Sequence, residues 1–521
     1  MNFNKKLAVA VSSAVLLMAG QVALADSATD IVDALVSKGV LTEEEGKLIT
    51  KGHTSKTSVT PVVKEKDGAF TLESANGRNS ITATGRMHFD YRESDIDTSL
   101  GGRTDDRDTA SLADQFELRR ARIGFKGKFA NDFKYEVVTN LPGTAALDIA
   151  YLDFAKYEKV QLRVGKFKQP FGLEELISSN NITMMERSYL DQTVPGKKLG
   201  FQVMGSPSKG ITYAGSLYQH NDVELDINAD SKNSVAGRAT LNFAEIMGNK
   251  EAVMHVGIAA LDSNYAIGTA ATSQTDTASI GTAQRGTMSS FRSAGRGLNN
   301  AFRGQVGGEV CGSATGSTAA TALSTVYNCA SEFRANVQQR AVGLEGIYAT
   351  GPFKLMGEYS AGDYKGRQQG NSTEYDTKTY YLEAGYFITG EKYADSYKNG
   401  VFSSFKPKNE FDIDKGQWGA IELALRAEGY DVDNVAFTGS SGRIQGSVDG
   451  NGTTNGNKAG AKTYTAGVRW ILSPNLIMKA NYAQTNFDYA FKPIDVTAPT
   501  ATPANNIDRE RLLMFRTQYM F

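Results

Sequence analysis

Beyond its first 25 residues, the 521-residue chain has no continuous apolar run of the ~18 residues that would suggest a transmembrane helix, and its mean hydropathy is −0.34. A helical membrane protein is excluded. Histidine is equally scarce: His53, His88, His220 and His255 are scattered, without metal-ligand spacing and without a glycine-flanked serine nucleophile. This gives catalysis little support and implies no cofactor and no metal. Cys311 and Cys329 are the only cysteines, and they close a short loop within a Gly/Ser/Thr/Ala-rich stretch. In an exported chain a disulfide is the expected state, adding roughly 3 kcal/mol by loop closure. The 56 basic and 57 acidic side chains nearly cancel, so nothing suggests nucleic-acid binding, and ion selectivity must be argued residue by residue.

Proline is low (11), while glycine (53), tyrosine (23) and phenylalanine (25) are plentiful, a composition that suits many strands with aromatic girdles. The carboxy-terminal segment gives the clearest pattern. Leu513, Phe515, Thr517, Tyr519 and Phe521 fall on one face, and Met514, Arg516, Gln518 and Met520 on the other. That alternation, ending on an aromatic residue, reads as a closing strand with lipid outside and Arg516 pointing into a water-filled lumen. At the other end, Lys5 and Lys6, the apolar run Leu7–Met18 and Ala23-Leu24-Ala25 read as a secretory signal peptide over residues 1–25. Residues 26–79 read as a short periplasmic helical segment, with Thr42 and Glu45 as a capping box, followed by a polar linker.

From Ile81 the period is 2, with Ile81, Ala83, Gly85, Met87, Phe89 and Tyr91 opposite Thr82, Thr84, Arg86, His88, Asp90 and Arg92. His88 and Asp90 share the polar face, where they read as lumen residues more readily than as a hydrolase dyad. Comparable segments recur near 115–127, 131–141, 146–156, 159–168, 198–207, 210–219, 233–243, 251–261, 338–349, 353–362, 375–389, 415–430, 462–473, 475–489 and 509–521, making about sixteen. The fold class is therefore all-β: an antiparallel transmembrane barrel of about sixteen strands spanning 80–521. An even count makes short periplasmic turns alternate with longer external loops. Residues 390–414 break that parity, and Tyr393, Tyr397, Phe402 and Phe405 within them argue for an ordered insertion, folded into the lumen.

Four stretches carry a family likeness: Phe116 to Gly127 (FELRRARIGFKG); Val164 to Glu174 (VGKFKQPFGLE) with Met185 to Ser188 (MERS); Tyr386 to Glu391 (YFITGE) with Lys406-Pro407-Lys408; and Ile421 to Arg426 (IELALR). In order and separation the chain resembles the phosphate-selective porin O and P family of outer-membrane porins. The resemblance implies a sixteen-stranded barrel, usually a homotrimer, whose third and fifth external loops and a long periplasmic turn fold inward. It also implies a narrowed lumen whose basic side chains pass small, phosphate-like anions. The family motifs mark the scaffold more clearly than the ion specificity.

Candidate anion-binding residues follow from strand parity and charge bias. Arg120, Arg122 and Lys126 face water opposite Ala121, Ile123 and Phe125, with Arg119 near the periplasmic rim and Glu136 able to neutralise one of them. Segment 277–308 carries Arg285, Arg292, Arg296 and Arg303 and no acidic residue, suiting either the pore or lipopolysaccharide phosphate outside it. Lys166, Lys168, Arg187, Lys197 and Lys198 are offset by Glu174, Glu175, Glu186 and Asp191 in a mixed loop, and the parity-breaking turn adds Lys406 and Lys408. The function that fits is passive diffusion with anion preference for phosphate or related oxyanions, in contact with outer-membrane lipid. The alternatives are a general non-specific porin, or a surface-interaction barrel acting as adhesin or receptor through its long loops.

Overall fold

The computed structural model describes residues 32, 34–49, 60–66, 68–98, 115–143, 145–220, 233–268, 283–298, 301–310, 334–368, 371–438, 443–445, 458–491 and 507–521. The signal-peptide segment and both cysteines lie outside the described residues. Sixteen antiparallel strands form the wall: β1 Ser80–Thr98, β2 Gln115–Phe129, β3 Phe133–Asn140, β4 Ala146–Tyr157, β5 Val160–Lys168, β6 Lys197–Ser208, β7 Ile211–Gln219 and β8 Ser234–Asn242 make one half. The other half is β9 Ala252–Gly268, β10 Arg334–Thr350, β11 Phe353–Gln368, β12 Asn371–Phe387, β13 Ala420–Thr438, β14 Ala459–Ile471, β15 Leu476–Phe491 and β16 Ile507–Met520. Each pairs with its sequence neighbour, and β16 pairs with β1, with Arg516 opposite Asp90 and Phe515 opposite Tyr91. The barrel is closed.

Period 2 explains why these segments become wall strands. On β16, Leu513, Phe515 and Tyr519 are exposed, whereas Met514, Arg516 and Gln518 are buried. On β1, Ile81, Met87 and Phe89 face out and His88, Asp90 and Arg92 face in. The barrel is thus inverted relative to a soluble protein, as lipid outside requires. An aromatic girdle marks the short-turn rim: Phe129 stacks on Phe133 at 4.9 Å, Phe133 meets Phe154 at 5.3 Å, and Phe411, Trp418 and Trp470 cluster farther round.

Near the amino end, Glu45 N–H donates to Thr42 Oγ1 at 3.2 Å and Thr42 N–H to Glu45 Oε2 at 2.9 Å, the two bonds of a capping box. Residues 62–73, read from sequence as part of a polar linker, form a hairpin of Val62–Lys66 and Ala69–Glu73 that continues the sheet beside β1. Gly68, just before the second strand of this hairpin, has the positive φ (73°) that a tight hairpin turn favours.

The parity-breaking turn between β12 and β13 enters the barrel. It carries a short 3-10 turn, Tyr393–Ser396, and a hairpin of Tyr397–Lys398 with Val401–Phe402. Tyr393, Phe402 and Phe405 are buried against Phe387, Met356 and Ile471 of the wall and Leu173, Ile177 and Ile182 of the third external loop, 169–196. From the other end, the described part of loop 5 forms a hairpin of Ala283–Phe291 with Phe302–Val310, extended by Arg443–Gln445. Its Phe291, Phe302 and Val306 are fully buried among Tyr189, Tyr375 and Tyr430. The spacing of the loop-5 arginines therefore belongs to a β-hairpin rather than to one helical face.

The glycine at the end of FELRRARIGFKG is a packing requirement, because a Cβ on Gly127 would sit 1.9 Å from the Ser80 carbonyl oxygen of β1. Gly127→Val should destabilise the barrel by about 1–3 kcal/mol. The measurement is the temperature at which the folded, fast-migrating band is lost on heating in detergent; an unchanged temperature would refute this origin for the glycine.

Candidate functional site

Loop 3 is held to the wall by a buried charge network. Glu186 accepts from Arg119 at 2.9 and 3.1 Å and from Arg516 at 2.6 Å, and lies 3.3 Å from Arg92. Arg516 also holds both oxygens of Asp90 at 2.7 Å, while Arg92 bridges Asp90 and Glu117 at 2.8 Å each. Arg516 faces inward as its parity requires, yet it is sealed beneath loop 3 rather than open to the lumen. Asp90 is committed to arginines, and His88 Nε2 lies 3.1 Å from Asn180 Oδ1, so the two form no dyad. Arg119 reaches Glu186 because β2 carries a bulge: His88 pairs with Arg120 and Phe89 with Leu118, leaving Arg119 as the extra residue, re-aimed inward. It is not at the periplasmic rim.

Farther along loop 3, Arg426 holds Glu383 at 2.6 Å and also grips Glu174, and Lys354 bonds Glu383 and Thr183 at 2.7 Å each. Wall carboxylates also take backbone donors of the loop. Glu358 accepts from Leu173 and Glu174 N–H at 2.6 and 2.7 Å, and Glu428 from Tyr189 N–H at 2.9 Å. These bonds satisfy loop backbone that water cannot reach.

The third loop and the periplasmic insertion fill the side of the lumen against β9–β16. Against β1–β8 they leave a cavity of about 670 Å³. Nine basic side chains line it, Arg86, Arg120, Arg122, Lys134, Arg163, Lys168, Arg187, Lys197 and Arg238, against four acidic ones, Glu136, Asp153, Glu158 and Glu175, so basic groups predominate in its lining. Most of the cations have partners. Arg122 and Lys197 share Asp148 at 3.0 and 2.5 Å, and Arg163 takes Asp153 bidentately at 2.7 and 2.8 Å. Arg187 lies 2.8 Å from Glu175 Oε2, and Arg238 donates to Glu345 at 3.0 Å. Glu136, expected to neutralise a β2 cation, instead accepts from the Tyr151 hydroxyl at 2.7 Å. Among the described residues no carboxylate lies within ion-pair distance of Arg86 or Arg120, and Arg120 Nε and Nη1, although buried, have no hydrogen-bond acceptor.

Of the sequence candidates, Arg120, Arg122, Lys168, Arg187 and Lys197 meet in this cavity. The others do not line it. Lys126 stands opposite Glu136 in register, exposed toward the turn end of β2, and Lys166 shares the outward parity of Leu162 and Val164. Lys198 lies beside His220, which burial and that lysine push down to about 3. Lys408 Nζ donates to the Gly390 carbonyl at 2.6 Å and so caps its own turn, and Lys406 sits exposed two residues earlier. In loop 5, Arg296 pairs with Glu117 at 3.1 Å and Arg303 Nε donates to Thr287 Oγ1 at 2.6 Å. The Arg292 backbone exchanges hydrogen bonds with Gln192. The Arg285 side chain is outside the described residues. Arg86, Lys134, Arg163 and Arg238 were missed as site residues, although strand alternation already put Arg86 on the inner face.

Burial alone would raise Glu175, but Lys168 and Arg187 outweigh it and hold the carboxyl at about 2. Its stabilising contribution is present above the unfolded value of ~4.3 and is lost as pH falls through about 2. Single-channel conductance should therefore show no step attributable to this anchor between pH 7 and pH 4; a step abolished by Glu175→Gln would contradict it. Arg516→Met removes one of the arginines shared by Asp90 and Glu186, leaving Arg92 on both and Arg119 on Glu186, and should cost ~1.5–3 kcal/mol. Its channels should fluctuate in conductance as loop 3 loosens, and steady wild-type currents would count against the network as the anchor.

The profile described as "Phosphate-selective porin O and P" matches residues 81–310 and 318–521. Porin O of Pseudomonas aeruginosa is 26% identical over 446 residues, covering 82% of this chain and 87% of that protein. Among solved structures, the anion-selective porin from Comamonas acidovorans aligns with a TM-score of 0.45 at 11% identity, covering 85% of this chain and 100% of that one. OmpT of Vibrio cholerae, folded in vitro, aligns with a TM-score of 0.47 at 9% identity, covering 85% and 98%. With the profile spanning the closed barrel from its first strand to its last, the chain belongs to the phosphate-selective porin O and P family of outer-membrane porins.

Proposed function

We propose that this porin is a passive diffusion channel that prefers anions, phosphate and related oxyanions as a class, and that it works as a homotrimer exported by a cleaved leader over residues 1–25. The observation that carries the reading is the cavity's excess of basic side chains, among them Arg120, two of whose buried nitrogens have no protein acceptor. A guanidinium fork matches paired oxyanion oxygens, and fixed charge in a narrow, low-dielectric passage acts far more strongly than in bulk water. Arg86 adds a second guanidinium, held by Ser179 Oγ at 3.0 Å. Transport also fits loop 5 better than surface recognition does, because Phe291 and Phe302 are buried in the barrel mouth.

In a planar bilayer under a potassium chloride gradient, the reversal potential should have the sign of an anion-preferring pore. Arg120→Gln breaks no ion pair within 4 Å among the described residues and should reduce the anion-to-cation permeability ratio by roughly tenfold, the lower end of what focused charge supplies. A cation-preferring wild-type pore would sink the reading, as would an Arg120→Gln pore of unaltered preference.

A further inference from the structure

The periplasmic insertion ends in a stiff hairpin whose tip is clamped to the wall. Tyr397–Lys398 pairs with Val401–Phe402, and the residues between them, Asn399 and Gly400, have φ of 50° and 81°. Positive φ at both positions is the geometry of a two-residue type I′ turn, which Asn-Gly adopts most readily. Hydrocarbon fixes the base of the insertion, since Tyr393, Phe402 and Phe405 are buried in one cluster with residues of loop 3. The tip is held by polar contacts instead. The chain leaves the wall between β12 and β13 and carries its tip to β7, β8 and β9. There Asn399 and Val401 border the cavity toward its periplasmic end, where Glu158 and Ser206 of the short turns also line it.

One carboxylate organises the clamp. Glu345 of β10 accepts from Arg238 of β8 through Nε at 3.0 Å and Nη2 at 2.5 Å, and lies 2.8 Å from Nε2 of His255 on β9. It can reach across β9 because Gly257 has no side chain: a Cβ there would sit 2.4 Å from Glu345 Oε1. Both groups that Glu345 orients then hold the hairpin. Arg238 Nη2 donates to the Gly400 carbonyl at 2.8 Å, and His255 Nδ1 lies 2.7 Å from the Tyr397 hydroxyl. The seat is close-fitting, since a Cβ on Gly400 would lie 3.2 Å from the hydroxyls of Thr212 and Thr240 and 3.3 Å from Arg238 Nη1. We infer that Glu345, Arg238 and His255 are positioning residues that latch the tip against the periplasmic end of the cavity and so set the size of solute that passes. The inference rests on the diffusion-channel reading above and not on its ion preference, because the latch limits width whatever charge the solute carries. In a wet passage each such bond is worth little net against water, so the tip keeps its place only while the contacts act together.

The test uses the full-length protein in planar bilayers, with potassium chloride carrying the current and neutral polyethylene glycols of graded size as probes. Tyr397→Phe removes one hydroxyl and keeps the ring. Gly400→Ala leaves every latch side chain in place but crowds the seat, in a backbone conformation that alanine disfavours. Each should raise the occupancy of a higher-conductance level about fivefold, the effect of one neutral hydrogen bond on such an equilibrium, and should admit a polymer that wild-type channels exclude. The polymer limit separates positioning from mere support, because a barrel that is only less stable loses its folded band at a lower temperature without changing which polymer enters. Wild-type conductance and polymer limit in either variant would overturn the inference. The reversal potential, read on the same channels, reports ion preference separately: a cation-preferring pore whose polymer limit rises in both variants refutes the anion reading and supports the latch, whereas an anion-preferring pore with an unmoved limit does the reverse.

Discussion

A carboxylate taken out of water inside a barrel needs nearly every oxygen lone pair answered by a cation, and Glu186 has three arginines around it, one from each of β1, β2 and β16. Those strands flank the seam where the barrel closes. The same contacts that hold loop 3 therefore tie the last strand to the first two from inside, on top of the ladder between β16 and β1. The position of the loop decides where water can go. With loop 3 fixed here, the periplasmic insertion has an apolar surface to pack on, since Tyr393, Phe402 and Phe405 share one cluster with Leu173, Ile177 and Ile182.

The lumen is divided accordingly. Toward β9–β16 it is filled by hydrocarbon and by neutralised charge, such as Arg426 with Glu174 and Glu383 and Arg469 with Glu422. Toward β1–β8 it stays open and basic. The two halves use the same residue types for opposite ends. An arginine met by two carboxylates stabilises the plug and contributes little field to the passage, whereas Arg120, which lines the cavity without a direct ion pair, leaves two buried nitrogens unsatisfied at some cost in stability. On the anion-preferring reading, a cation without a direct ion pair weighs more in the passage than one already met by a carboxylate.

Much of the scaffold was legible in the sequence because lipid imposes period 2 on every wall strand: the sixteen segments, the faces of β1 and β16, and the insertion at 390–414 all followed from alternation and parity. The site was less legible because charge partners meet across the barrel. Glu186 and Arg516 are 330 residues apart in sequence, and Glu174 and Arg426 are 252 apart. Nothing local to Lys168 says that its ammonium will rest on three loop carbonyls. The bulge that turns Arg119 inward is a register event between β1 and β2, invisible to a count of alternating residues. The hairpin at 62–73 is a different kind of miss, since its Asp67-Gly68 turn signal was present in the sequence.

The four-residue stretch Met185-Glu186-Arg187-Ser188 separates family likeness from solute choice. Met185 N–H bonds the Asn481 side chain, Glu186 meets the arginine cluster, and Ser188 N–H donates to Glu174. Arg187 turns the other way, donating to the carbonyls of Glu174 and Ile177 at 2.9 Å each and pairing with Glu175, so it closes the loop on itself while one side of it borders the cavity. Every one of these contacts fixes the loop, and none presents an unmatched donor to a passing anion. Such a motif can therefore be kept intact while Leu176, Met204 or Val401 changes the chemistry of the passage beside it. Two porins that share this anchor need not share a solute, because the residues that hold the constriction are not the residues that face what passes through it.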